Sequence, residues 1–157
     1  MFKSKTRWRD KLEKEQEPKL VTVPPKMVAR FGKGQMLIPT PMLVDQVMRS
    51  VRKGKLITAG QIRAKLARDC AADVTCPLTT GIFMRIAAEA AEEDRAAGRK
   101  RITPYWRVVK DDGGLNPKFP GGEAQQAKRL RSEGITTALR GKRFVVKAFE
   151  KYLTAPK

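Results

Sequence analysis

The sequence predicts a mainly α-helical domain with a small β-hairpin, in the element order of a winged helix-turn-helix. Three observations lead there. Two helical patterns follow one another, at about 58–68 and 79–97, each opened by a hydroxyl residue able to cap it. Behind them Val108-Val109 runs into Asp111-Asp112-Gly113-Gly114, a strand entering a tight turn, since glycine accepts positive φ. The 157 residues, 41% of them hydrophobic, suffice for one domain with a buried core and a tail.

Residues 1–37 read as a basic, flexible N-terminal arm, with ten Lys+Arg against four Asp+Glu. A charged helical pattern at 6–17 gives way to Pro18, Pro24 and Pro25, which impose extended backbone. The arm is expected either as a solvated tail or laid along a polyanion through Arg7, Arg9, Lys26, Arg30 and Lys33. The compact domain is expected over 38–157. Thr40 followed by Pro41 starts a helix with Leu43, Val44, Val47, Met48 and Val51 on one face, closed at Lys53-Gly54. Thr58 caps the next, Ile62 and Leu66 inward and Gln61, Arg63, Lys65 and Arg68 outward. Thr79 or Thr80 caps a third, with Ile82, Phe83, Ile86, Ala87 and Ala90 as its buried stripe and Arg85 and Glu89 opposite. A fourth covers 123–133, with Ala124, Ala127 and Leu130 inward. Val145, Ala148, Phe149, Tyr152 and Leu153 suggest a last amphipathic helix.

Charge narrows the function. Thirty-four Lys+Arg against 16 Asp+Glu leave +18, which calls for a polyanionic partner, because clustered cations displace counterions from phosphates. No segment approaches the ~20 apolar residues of a membrane span, and the charged N-terminus lacks the apolar run of a signal peptide. A membrane partner is therefore not expected. Two cysteines, Cys70 and Cys76, fit a reducing cytosol rather than a disulfide scaffold. The absence of histidine removes the commonest general base and metal ligand together. Neither metal nor cofactor is expected.

The run Pro104-Tyr105-Trp106-Arg107-Val108-Val109, then the glycine turn, Phe119-Pro120-Gly121-Gly122, Gln126 and Glu133-Gly134 resembles the C-terminal domain of O6-alkylguanine-DNA alkyltransferases. It is closer still to their non-catalytic relatives, the alkyltransferase-like proteins. The resemblance spans roughly 40–137 and is specific over 103–134. It implies a winged helix-turn-helix of the alkyltransferase type. The enzymes read Pro-Cys-His-Arg-Val in the first run; in the alkyltransferase-like proteins the cysteine becomes Trp. Here the nucleophile position holds Tyr105 and the histidine position Trp106, so the implied chemistry is lost and no catalytic residue is expected. A phenol is mostly protonated at neutral pH and an indole only donates. Glu133 matches the carboxylate that ends the enzymes' relay, and is expected as a hydrogen-bonding group.

The resemblance also implies duplex DNA held by the second helix of the pair. The family's base-flipping tyrosine and gap-filling arginine fall on Ala59 and about Gly81, so neither wedge is kept. Expected DNA-binding residues are Gln61, Arg63, Lys65, Arg68, Thr79, Thr80, Gly81, Arg85, Arg99, Lys100, Arg101, Lys128 and Arg131. Tyr105, Trp106, Arg107, Phe119, Pro120 and Gly121 are the expected lesion pocket. The three aromatics either stack on a base or pack as core, and Arg107 either bonds inside the domain or reaches a phosphate. The resulting expectation is a cytoplasmic, nucleoid-associated, non-catalytic double-stranded-DNA-binding protein that recognises O6-alkylguanine and flags it for nucleotide excision repair proteins. The alternative is a structural nucleic-acid protein using the same fold on RNA, ribosome or chromosome.

Overall fold

The computed structural model describes residues 7–156. Its elements are α1 (Trp8–Glu13), β1 (Lys19–Thr22), α2 (Pro25–Phe31), β2 (Gln35–Ile38), α3 (Pro41–Arg49), β3 (Ile57–Thr58), α4 (Ala59–Asp69), β4 (Val74–Thr75), α5 (Pro77–Ala96), β5 (Val108–Val109), α6 (Gly122–Ser132), β6 (Thr137–Arg140) and β7 (Arg143–Val146). Turns of 3-10 helix cover Tyr105–Arg107 and Phe149–Tyr152. The chain is thus mixed α/β rather than mainly α. Three small sheets accompany the helices, ordered β1-β2-β4, β3-β5 and β6-β7.

Residues 7–37 are folded onto the rest, not a flexible arm; positions 1–6, where the expected first helix begins, lie outside the described residues. Six residues are too few to hold a helix alone, so α1 owes its existence to docking. The backbone N–H groups of Trp8 and Arg9 both donate to the Glu93 carboxylate at 2.8 Å. Arg9 turns inward to pair with buried Asp94, and Leu12 is sunk in the core. β1 pairs antiparallel with β2, from Lys19 opposite Ile38 to Thr22 opposite Gln35. β4 adds to β2 in parallel.

Two of the three caps read from sequence, Thr40 and Thr58, are present. Thr40 Oγ1 accepts from the Leu43 N–H at 3.2 Å, and Thr58 and Gln61 form a reciprocal capping box at 3.0 and 2.9 Å. α3 stops earlier than expected, where the Ser50 hydroxyl donates to the Val47 carbonyl. α5 starts earlier, at Pro77, which leaves Thr79 and Thr80 inside the helix with their hydroxyls donating back to the Cys76 carbonyl. Its buried face is Met84, Ala87, Ala88, Ala91 and Asp94, with Ala90 also covered; Ile82 is exposed. The alanines let α1 and α3 both pack closely on α5. On α6, Ala127 and Leu130 are buried as expected but Ala124 is exposed and Gln126 takes the inward place. The Gln126 amide donates to the carbonyls of Trp106 and Val108 and accepts from the Asn116 N–H.

The strand and hairpin expectations separate. β5 is a strand and its turn forms, with the Gly113 N–H donating to the Lys110 carbonyl at 2.9 Å, but β5 pairs in parallel with β3 and not across that turn. Gly113 has φ of 85°, and a Cβ there would come 2.5 Å from the Phe149 ring, so glycine is required twice over. The hairpin is β6–β7, Thr137 opposite Val146 to Arg140 opposite Arg143; of the helix expected over 145–153, Val145 and Val146 end β7 and only Phe149–Tyr152 coils, as a 3-10 turn. Between α4 and α5, residues 70–76 contain β4, so that connection is longer than a simple turn.

One carboxylate anchors the central stretch. Arg107 donates twice to Glu133, at 2.9 and 2.7 Å, and once to the Val51 carbonyl at 2.7 Å. The Trp106 indole N–H donates to the same Glu133 at 2.9 Å. Burial alone would raise the Glu133 pKa; the donors and the Arg107 charge outweigh it and hold the carboxyl below its usual range. A depressed pKa means that this stabilisation is complete above the ordinary value of 4.5 and is lost as pH falls through the folded value. Glu133→Gln should therefore be less stable at neutral pH and lose less further stability between about pH 5 and pH 3; parallel losses in urea titrations of both proteins would contradict the clamp. Leu12→Ala should cost about 2–5 kcal/mol by cavity formation. An unchanged urea midpoint would mean α1 is not docked.

Candidate nucleic-acid interface

Tyr105, at the position that would carry a nucleophile, has no accessible surface. Its ring meets Trp106 and Phe119 edge-on, at 5.3 and 5.4 Å between centroids. Its hydroxyl donates to Glu92 Oε2 at 2.7 Å, an oxygen that also accepts from Arg129 at 2.7 Å. Arg95 donates to the other Glu92 oxygen. Burial first, and then the Glu92 carboxylate, push the phenol well above its ordinary pKa. The hydroxyl is a fixed donor, not a latent oxyanion.

The expected lesion pocket is therefore corrected. Trp106 is 9% exposed and Phe119 2%, so the three aromatics are core and form no open cage. Arg129 lies 4.6 Å from the Trp106 ring, and Arg107 is committed to Glu133. Only Pro120 and Gly121 reach a surface depression, one of about 490 Å³ that they share with Glu92, Arg95 and Lys128.

A different cleft, of about 560 Å³, opens between the first half of α5, α1 and the loop at 116–118. Leu78, Ile82, Ile86 and Trp8 supply its apolar surface. Lys11, Arg85, Lys110 and Lys118 stand around it, and none of the residues lining it is a carboxylate. Lys11 and Arg85 both lie over the Trp8 ring, at 4.2 and 5.6 Å. A flat apolar space bounded by cations suits a nucleobase with phosphates beside it.

Of the expected DNA-binding residues, Gly81 and Arg85 line this cleft. Thr80 is buried and cannot face a ligand, and Thr79 is partly covered. Gln61 is used at both ends of its amide, on the Thr58 N–H and the Thr154 carbonyl. Arg63 pairs with Asp111, Lys65 with Asp69, and Arg68 donates to the Pro156 carbonyl. Arg99, Lys100 and Arg101 are exposed beyond the far end of α5, a helix about 30 Å long by its ~1.5 Å rise per residue. Lys128 borders the second depression and Arg131 is exposed on α6. None of these cations lines the cleft with Gly81 and Arg85.

Trp8, Lys11, Lys110 and Lys118 were not anticipated. Lys110 and Lys118 sit inside the most distinctive stretch of the sequence and could have been found there. Trp8 and Lys11 had no local signal, because only the docking of α1 brings them to the cleft. Another unanticipated group is the tip of β6–β7, where Arg140, Lys142 and Arg143 are exposed. Among the described residues the side chains of these three have no ion pair or hydrogen-bonded partner.

The sequence matches no family model and no curated protein. Two solved structures are similar to it. S. pombe Atl1, in complex with damaged DNA containing O6-carboxymethylguanine, superposes with a TM-score of 0.50 at 19% identity, over 74% of this chain and 94% of that one. The S. pombe alkyltransferase-like protein in complex with DNA gives 0.48 at 18% identity over the same shares. Coming from a chain whose residues 104–134 carry the matching motif, the first superposition identifies the architecture: this protein has the fold of an alkyltransferase-like protein.

Proposed function

We propose that the chain is a non-catalytic double-stranded-DNA-binding protein that holds an O6-alkylated guanine in the cleft between α1, α5 and the 116–118 loop, and so marks the lesion for repair. The observation that carries this reading is the cleft itself, apolar inside, ringed by four cations and free of carboxylates. The likeness to S. pombe Atl1, which is bound to DNA containing O6-carboxymethylguanine, supports it. So does the capture of Tyr105 by Glu92, which leaves the nucleophile position with a buried donor. Phosphate binding supplies the affinity, and the cations for it are drawn from those whose side chains have no internal partner among the described residues, Lys100, Arg101, Lys110, Lys118, Lys128 and Arg131 among them. α5 begins without a side-chain cap, so the positive end of its dipole is not offset by a capping side chain.

Competition binding of plain duplex, duplex with one O6-methylguanine and structured RNA, each at two salt concentrations, tests the proposal. It predicts a lesion preference above about tenfold, or ~1.4 kcal/mol, and no transfer of a labelled methyl group to protein. Equal affinities for all three ligands with a steep salt dependence would support the structural nucleic-acid alternative instead. Tyr105→Phe should lower stability by about 1 kcal/mol through the lost hydrogen bond and leave the lesion preference intact; a lost preference in a stable variant would return Tyr105 to the pocket.

A further inference from the structure

Taking a base out of a duplex requires something to part the stack, and the positions that would supply a tyrosine or an arginine hold Ala59 and Gly81. The surface offers a different group. Among the described residues five large hydrophobic side chains are exposed, and two of them, Leu78 at 71% and Ile82 at 50%, both border the cleft. They are four residues apart on α5 and so project from one face of it. Gly81 lies beside Ile82, with nothing within 4 Å of where its Cβ would be, so the edge of a base pair can approach the helix backbone there.

Their surroundings identify the occupant. Lys11, Arg85, Lys110 and Lys118 border the same cleft and no carboxylate lines it; Glu89, one turn along α5, pairs with Arg85 at 3.7 Å. An apolar protein surface has no use for such a ring of charge, whereas a duplex presents flat apolar base faces between two rows of phosphates. We infer that Leu78 and Ile82 form an apolar wedge that enters the base stack beside the nucleotide taken into the cleft. Leucine and isoleucine act this way in minor-groove proteins that unstack a step and kink the duplex. The inference rests on the duplex-binding reading above. It adds that the parting of the stack is done by dispersion and desolvation from α5, with the cations holding the backbone on either side.

The test uses the full chain and a duplex carrying 2-aminopurine next to one O6-methylguanine, because 2-aminopurine brightens when it is unstacked. The wild-type protein should raise the fluorescence. The double variant Leu78→Ala, Ile82→Ala should abolish that rise and reduce the lesion preference by about tenfold, while the salt slope of duplex binding and the melting temperature stay as they were. The pair Leu78→Met, Ile82→Met should restore the signal, since methionine is also an apolar wedge. Persistence of the rise in the alanine variant overturns the inference. So does a wild-type protein that binds the duplex without any rise, an outcome that leaves duplex binding standing. A wild-type protein that binds no duplex overturns both readings.

Discussion

The Arg107 guanidinium, held by the Glu133 carboxylate on one side and the Val51 carbonyl on the other, is the interaction on which the rest of the structure depends. It ties Val51, two residues beyond α3, and Glu133, which caps the end of α6, to the short turn at Tyr105–Arg107. Two parallel N–H groups fit one carboxylate in a geometry that lysine could not reproduce. Because the pair is largely out of water, removing either partner would strand a charge at a cost of about 3–5 kcal/mol. With that turn fixed, Trp106 reaches Glu133, Tyr105 points inward, and Val108-Val109 is delivered alongside β3.

A second carboxylate, Glu92, does for Tyr105 what Glu133 does for Trp106. Burial would raise its pKa, but hydrogen bonds from Tyr105 and Arg95 and the charge of Arg129 keep it below the usual range. The consequence is functional as well as structural. A phenol that donates to an ionised glutamate within a dry core has neither the protonation state nor the exposure of a nucleophile. The space around Tyr105 is filled with the protein's own side chains, and the open cleft lies between α1, α5 and the 116–118 loop.

The same division sorts the charge. Arg9, Arg49, Arg63, Arg107 and Arg129 hold elements together through Asp94, Asp45, Asp111, Glu133 and Glu92. Lys110, Lys118, Lys128 and the hairpin-tip cations face solvent without such partners. A net charge of +18 therefore overstates neither role alone. Part of the basic composition builds the interior, and the remainder is the field that a polyanion meets.

Helix starts at Thr40 and Thr58, the turn at 111–114 and the motif at 104–134 were legible, since each is written in residues within a few positions of one another. The phase of α5 was not, because alanines score weakly as core until α1 and α3 are known to press on them; Ile82 was thereby placed inside when it faces out. The apolar positions at 145–153 fit a helical period, but Val145 and Val146 end β7 and only Phe149–Tyr152 coils; Gly141, with positive φ between β6 and β7, was the cue that went unused.

Local chemistry by itself thus determined the caps at Thr40 and Thr58, the central turn and the basic character. Tertiary structure decided which cations are spent inside, that residues 7–37 are folded onto the domain, and where the open cleft lies. The reason is that a buried ion pair such as Arg9 with Asp94 joins groups far apart in the chain, and no window of sequence contains both.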